Sequence, residues 1–383
     1  MDLQLSDDQV LFDETTARFL DASCPIATVR EWVDKEPAGF PPDWWRQGCE
    51  LGWTSLLLSE EDGGGSVSEH GLADLVLVAE EMGRRVSPGP LLPTNVVASA
   101  LAASGTAEQR RAVLPGIVSG ESIATWCLAE PSSPFDQVRL EAVPDAGGLV
   151  LHGTKGPVEA AAESDWLLVA ASVDGATTHV LVEASTPGVT VTPVDSLDLV
   201  RRFATVTFDG VRVPASSVVG EVGGAAAEVE RLLQVAVVLQ CAEMAGAADH
   251  MLGVTVEYAF DRYSFGRPLA SYQALKHRFA DLKLWTEACL ATAQSAAGAV
   301  ARGSARAAEL ASAAKSYVGD HAPVILQDCV QLHGGIGVTW DHDLHLYLRR
   351  VVQDRVLFGT PAEHRDRIAD GLGLDSDGGG PGA

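Results

Sequence analysis

The sequence predicts an α+β protein in three parts: a helical domain over residues 1–120, an antiparallel β domain over 121–224 and a second helical domain over 225–372, followed by a tail at 373–383. Three observations carry this. Apolar residues recur at helical spacing in both outer blocks. The middle block consists of short Val- and Thr-rich runs broken by Gly, Pro and Asp, the pattern of strands and turns. The chain has 383 residues, more than one small core accommodates, so two or three domains are expected. Helices and strands do not alternate, which disfavours a doubly wound sheet.

The elements follow in order. SDDQVLFDETTARFLDA places Ser6 at an N-cap with acids in the first turn. HGLADLVLVAEEMGRR and TNVVASALAAS continue the helical block, and EEDGGGS is a glycine loop. LVLHGTKG, DWLLVAAS, THVLVEAS, GVTVTPV and FATVTFDGVRV read as strands of a sandwich or barrel. From about residue 225 the chain returns to long Ala- and Leu-rich helices, and DSDGGGPGA is expected to be disordered. GGGS and GGIG lack the strand–GxGxxG–helix setting of a dinucleotide fold.

Composition excludes some partners. The net charge of −25 repels nucleic acid and anionic membranes. Six scattered cysteines without a CxxC pair argue for buried reduced thiols rather than a disulfide framework or zinc ribbon. The N-terminus has no basic and apolar leader pattern, and LLQVAVVLQCAEMAGAADHML is too polar to span a bilayer comfortably, so a cytoplasmic protein is expected. His342 and His345, near Asp341 and Asp343, make a poor metal site, and no metal is expected.

Five segments in order resemble the acyl-CoA dehydrogenase family: ELGWTSLLLSEEDGGG, WCLAEPSSPFD, FDGVRVP, DRYSFGRPLASYQALKHRFAD and QLHGGIGVTWDHDLHLYLRR. The resemblance runs from about residue 3 to residue 370. It implies an acyl-CoA dehydrogenase-like fold whose last domain is a four-helix bundle. It also implies FAD bound at a dimer face, often in a dimer of dimers. The matching cofactor residues are Arg262 for the pyrophosphate, Phe265 for the adenine end, Gln273 and Gln331 for the nucleotide, and Gly334, Gly335 and Gly337 for close backbone approach. In the family this group reaches the flavin of the neighbouring subunit. Leu128 and Ala129 can offer backbone groups to the flavin ring.

The reaction implied is α,β-desaturation of an acyl-CoA or acyl-carrier thioester: a base takes the α proton while flavin accepts hydride, with an electron-transfer flavoprotein or oxygen as acceptor. The usual glutamate position holds Phe358, followed by Gly359 and Thr360, and a second known position holds Ala236. Glu243 is the remaining candidate base. It sits in an apolar helix two turns after Ala236, about 10 Å by helix rise, so its use as a base needs a shifted substrate. A structural ion pair is the equal alternative for Glu243.

Other positions depart from the family as well. Ala129 stands for a flavin-side Thr, Phe135 for a Ser on the CoA chain, and Pro157, Val158 and Glu159 for W-I-T. The endings resemble a divergent actinobacterial-type subgroup that often works as pairs of unlike subunits. Three readings follow: a dehydrogenase using Glu243, in a homo-oligomer or a heterotetramer; a subunit that completes the FAD site of a homologous partner; or other flavin chemistry. Steroid-derived, branched and short-chain acyl groups all remain open.

Overall fold

The structure, a computed structural model, describes residues 4–373. The helical block comprises α1 (Asp7–Ser23), α2 (Ile26–Lys35), α3 (Pro42–Glu50), α4 (Gly71–Arg84), α5 (Leu91–Ser104) and α6 (Ala107–Ser119). Ser6 caps α1 in a reciprocal box with Gln9, and Thr106 does the same for α6 with Gln109. Trp45 and Trp53 are fully buried between these helices.

The β block comprises β1 (Ala124–Cys127), β2 (Glu141–Asp145), β3 (Gly148–Glu159), β4 (Trp166–Val173), β5 (Ala176–Glu183), β6 (Val189–Val194), β7 (Phe203–Pro214) and β8 (Val218–Val219). The path is β6-β7-β3-β2-β4-β5-β8, with β1 beside β4. The expectation of purely antiparallel pairing is corrected in two places. Strand β1 runs parallel to β4, with Ala124 opposite Trp166, and β2 meets β4 in parallel at Glu141 and Ser172. Neither is joined to β4 by a hairpin, since β2 and β3 lie between β1 and β4 in the chain, and parallel neighbours need such a crossover.

The C-terminal block is built from α7 (Ala226–Asp261), α8 (Gln273–Ala301) and α9 (Ala307–His333), with the short α10 (Leu344–Asp354) and α11 (Pro361–Gly371) packed on α9 as the divided fourth member. Strands β9 (Tyr263–Ser264) and β10 (Arg267–Pro268) form a small hairpin between α7 and α8. Helix α7 is long and apolar enough to cross a membrane, but 89% of its most apolar window is buried inside the protein. Gly83 and Gly246 let α4 and α7 touch backbone to backbone. A Cβ at Gly83 would lie 2.1 Å from the Glu243 carbonyl oxygen, and one at Gly246 would lie 2.2 Å from that of Glu80. All six cysteines are buried free thiols. Of the expected disordered tail, only Gly373 falls within the described residues.

Candidate active site

Phe358, expected from the resemblance where the family keeps its base, is built into the fold. Its φ is +57°, and Gly359 follows at +101°. A Cβ at Gly359 would come within 2.7 Å of the Phe135 ring and 2.8 Å of His364 Nε2, so only glycine fits there. Trp126 stacks on Phe358 at 6.2 Å and 18°, and Phe135 stacks on His364 at 5.5 Å and 25°. His364 Nε2–H donates to the Phe358 carbonyl at 2.9 Å, while Nδ1 accepts from Ser312 Oγ at 3.1 Å. Burial pushes the pKa of His364 down to about 4, which leaves the imidazole neutral at pH 7 and makes Nδ1 the acceptor once Nε2–H faces the carbonyl. Lys315 Nζ donates to the Asp354 carbonyl, to the Leu357 carbonyl at 2.9 Å and to Gln240 Oε1. Helix α9 thus pins residues 354–358 through Lys315 directly and through Ser312 by way of His364.

The space left beside this plug is a cavity of about 40 Å³, lined by Trp126, Leu128, Ala129, Phe135, Glu159 and Phe358 among others. That is room for a water or two, not for a tricyclic flavin ring. Leu128 and Ala129, expected to offer backbone groups here, have their carbonyls engaged. Leu128 O accepts from Lys155 Nζ at 3.0 Å, and Ala129 O accepts from the Gly156 amide at 2.8 Å. Lys155 is fully buried and also pairs with Glu130 at 2.6 Å.

Glu243 lies at the junction of α7, α10 and the loop before β7, in a buried charge cluster. Arg201 and Arg350 each bind one of its carboxylate oxygens. Arg201 also meets Glu159 at 3.3 Å and Asp354 at 3.2 Å, and Arg350 also binds Asp198. Both oxygens of Glu243 are therefore claimed by guanidinium groups, the geometry of a structural ion pair. Glu159, which lines the small cavity, is pushed up to about 6 by burial.

The residues matched to the nucleotide end behave differently. Arg262, Phe265, Gln273, Gln331, Gly334 and Gly335 are all exposed. Tyr258 stacks on His333 at 4.5 Å, which sets the ends of α7 and α9 side by side and brings their loops to one face. Phe265 and Gly266 both have positive φ, +49° and +80°, in the two-residue turn that pairs Ser264 with Arg267. This turn holds the Phe265 ring 97% exposed. Ile336, Val338 and Trp340 are exposed on the neighbouring loop. Trp340 stacks on His345 at 4.4 Å, and its carbonyl accepts from Arg30 Nη2 at 2.8 Å.

A dinucleotide cofactor of the FAD type fits the outward set, with a cation, glycine backbone and an aromatic ring, and does not fit the inward slot. In the sequence Phe135 and Glu159 stand out only as departures from the family, and Trp126, Lys315, His364 and Arg201 do not stand out at all. The one signal available for these was that several atypical residues fall on one family site.

Models of the acyl-CoA dehydrogenase N-terminal domain and C-terminal domain match residues 6–121 and 223–373. Acyl-CoA dehydrogenase IpdE2 of Mycolicibacterium smegmatis is 31% identical over 365 residues, 95% of this chain and 98% of its own. The ChsE4–ChsE5 complex from Mycobacterium tuberculosis is similar at TM-score 0.87 and 27% identity, over 98% of this chain and 100% of that one. A variant of the Tcur3481–Tcur3483 steroid ACAD is similar at TM-score 0.86 and 28% identity, over 96% and 98%.

Proposed function

The chain belongs to the acyl-CoA dehydrogenase family of FAD-dependent oxidoreductases acting on CH–CH groups, and on that footing we propose that it is one subunit of a two-chain enzyme that desaturates an acyl thioester. The homologous partner carries the base and the bed for the flavin ring. This chain completes the cofactor site from outside, with Arg262 toward the pyrophosphate, Phe265 toward the adenine, and Gln331 with the Gly334–Gly335 backbone along the nucleotide. When bound, FAD supplies the hydride-accepting chemistry.

The observation that carries this reading is the contrast between the two half-sites. The inward slot is filled by Trp126, Phe135 and Phe358, down to about 40 Å³. The outward set is intact and exposed. Phe265, 97% exposed, shares its face with exposed Ile336, Val338 and Trp340, an apolar group of the kind that marks an interaction site. Two relatives of similar fold at 27–28% identity bear paired names, ChsE4–ChsE5 and Tcur3481–Tcur3483. The second of these, a steroid ACAD, supports a bulky steroid-derived acyl group as substrate. An electron-transfer flavoprotein takes the electrons, and the complex works in the cytoplasm.

The test is to assay acyl-CoA turnover with this chain alone, with a homologous partner alone, and with both. Turnover is expected only with both, and is abolished when the partner's glutamate becomes glutamine. Phe358→Glu in this chain is expected to restore nothing, because the slot around it stays closed. Desaturation by this chain alone, or a gain of activity from Phe358→Glu, would overturn the reading.

A further inference from the structure

The charge cluster around Glu243 extends well beyond Glu243 itself. It joins Glu159 of β3, Asp198 and Arg201 of the loop before β7, Glu243 of α7, and Arg350 and Asp354 of α10. Lys315 of α9 stands beside Asp354 and binds its backbone carbonyl. All of these are buried or nearly so; Arg350 and Lys315 are 0% exposed and Asp354 is 1%. Four acidic groups therefore face three basic ones, all largely buried and only Glu159 bordering the small cavity. Other ionisable groups nearby include the Cys241 thiol, Arg355 and the neutral His364, with Cys24 and Tyr347 on the Arg350 side. A net negative charge at such depth is costly unless a proton offsets it.

Asp354 is where that proton fits. Its Oδ1 meets Arg201, but Oδ2 is buried without a hydrogen-bond partner among the described residues. It is also the last residue of α10, at the negative end of the helix dipole, where an anion is disfavoured. Asp198 and Glu243, by contrast, each have a guanidinium of Arg350 in direct contact.

We propose that this cluster is a proton-binding clasp: one proton, resident on Asp354 at neutral pH, fastens the β domain and the plug segment 354–358 to the bundle, and its release weakens that hold. Desolvation pushes the Asp354 carboxyl up to about 7, against roughly 3.9 in an unfolded chain. The folded state thus keeps the proton over a range where the unfolded state has lost it. The stabilisation is complete below the unfolded value and is lost as pH rises through about 7.

The test compares denaturant unfolding of the full-length chain with that of Asp354→Asn, which mimics the protonated acid, from pH 5 to pH 8.5. The wild-type unfolding constant, divided by that of the variant, is expected to rise roughly tenfold per pH unit up to about pH 7 and then level off. A flat ratio would overturn the proposal. Infrared spectroscopy of the wild type keeps the question open to a decision should the variant not fold. A buried protonated-carboxyl band at pH 6 that persists in Glu159→Gln and fades by pH 8.5 is expected, and its absence from that variant at pH 6 refutes the clasp.

Discussion

Glu243→Gln is expected to destabilise the chain by about 3 kcal/mol, because it breaks a buried ion pair while leaving the guanidiniums in place. Glu243 is the carboxylate that Arg201 and Arg350 share. An amide can present one oxygen to one guanidinium, and its NH₂ must then face the other, donor against donor. Each arginine keeps another carboxylate, Glu159 for Arg201 and Asp198 for Arg350, which holds the cost near the low end for a broken buried pair. Denaturant unfolding of the variant measures it. The same protein separates the two roles of this residue. Unchanged stability with lost turnover would make Glu243 a base. Lost stability, with turnover retained by whatever fraction stays folded, makes it the strut between α7, α10 and the β domain.

Arg262→Glu is expected to act at the opposite end of the molecule, on cofactor rather than on stability. Arg262 is exposed just past α7, and no ion pair involves it among the described residues. Its removal therefore leaves the fold unstrained. A charged hydrogen bond to a pyrophosphate contributes about 1.5–3 kcal/mol, and reversing the charge adds repulsion. FAD affinity of the two-chain complex should fall roughly 100-fold, with an unchanged melting temperature of this chain alone. Flavin fluorescence on dilution reads the first quantity, and calorimetry reads the second.

The parts of this protein that were legible in the sequence are those encoded locally. The Ser6–Gln9 capping box is written within four residues, and the Val/Thr alternation of β7 within a dozen. The parallel seat of β1 was not legible, because its partner β4 lies beyond two intervening strands. At the site, Phe358 announced that the usual base was missing. That Trp126 stacks on it and His364 locks it from α11 required the fold. His364 sits in PAEHRD, a charged segment at the start of α11. Arg365 does pair with Asp320 and Glu363 does close the capping box, but His364 points inward. The partners of Glu243 were invisible for the same reason: Arg201 and Arg350 lie 42 and 107 residues away along the chain. A charged residue in an apolar helix marks its own oddity but not who satisfies it.

Flavin stoichiometry tests the two-chain account most directly. The chain is co-expressed with a homologous acyl-CoA dehydrogenase chain that retains the glutamate, the complex is purified, and FAD released by denaturation is counted against each polypeptide. One FAD per pair of unlike chains is the expected result, with this chain colourless when purified alone. One FAD on every chain, or a yellow protein from this chain alone that an acyl-CoA bleaches, would contradict it and return the base to this subunit.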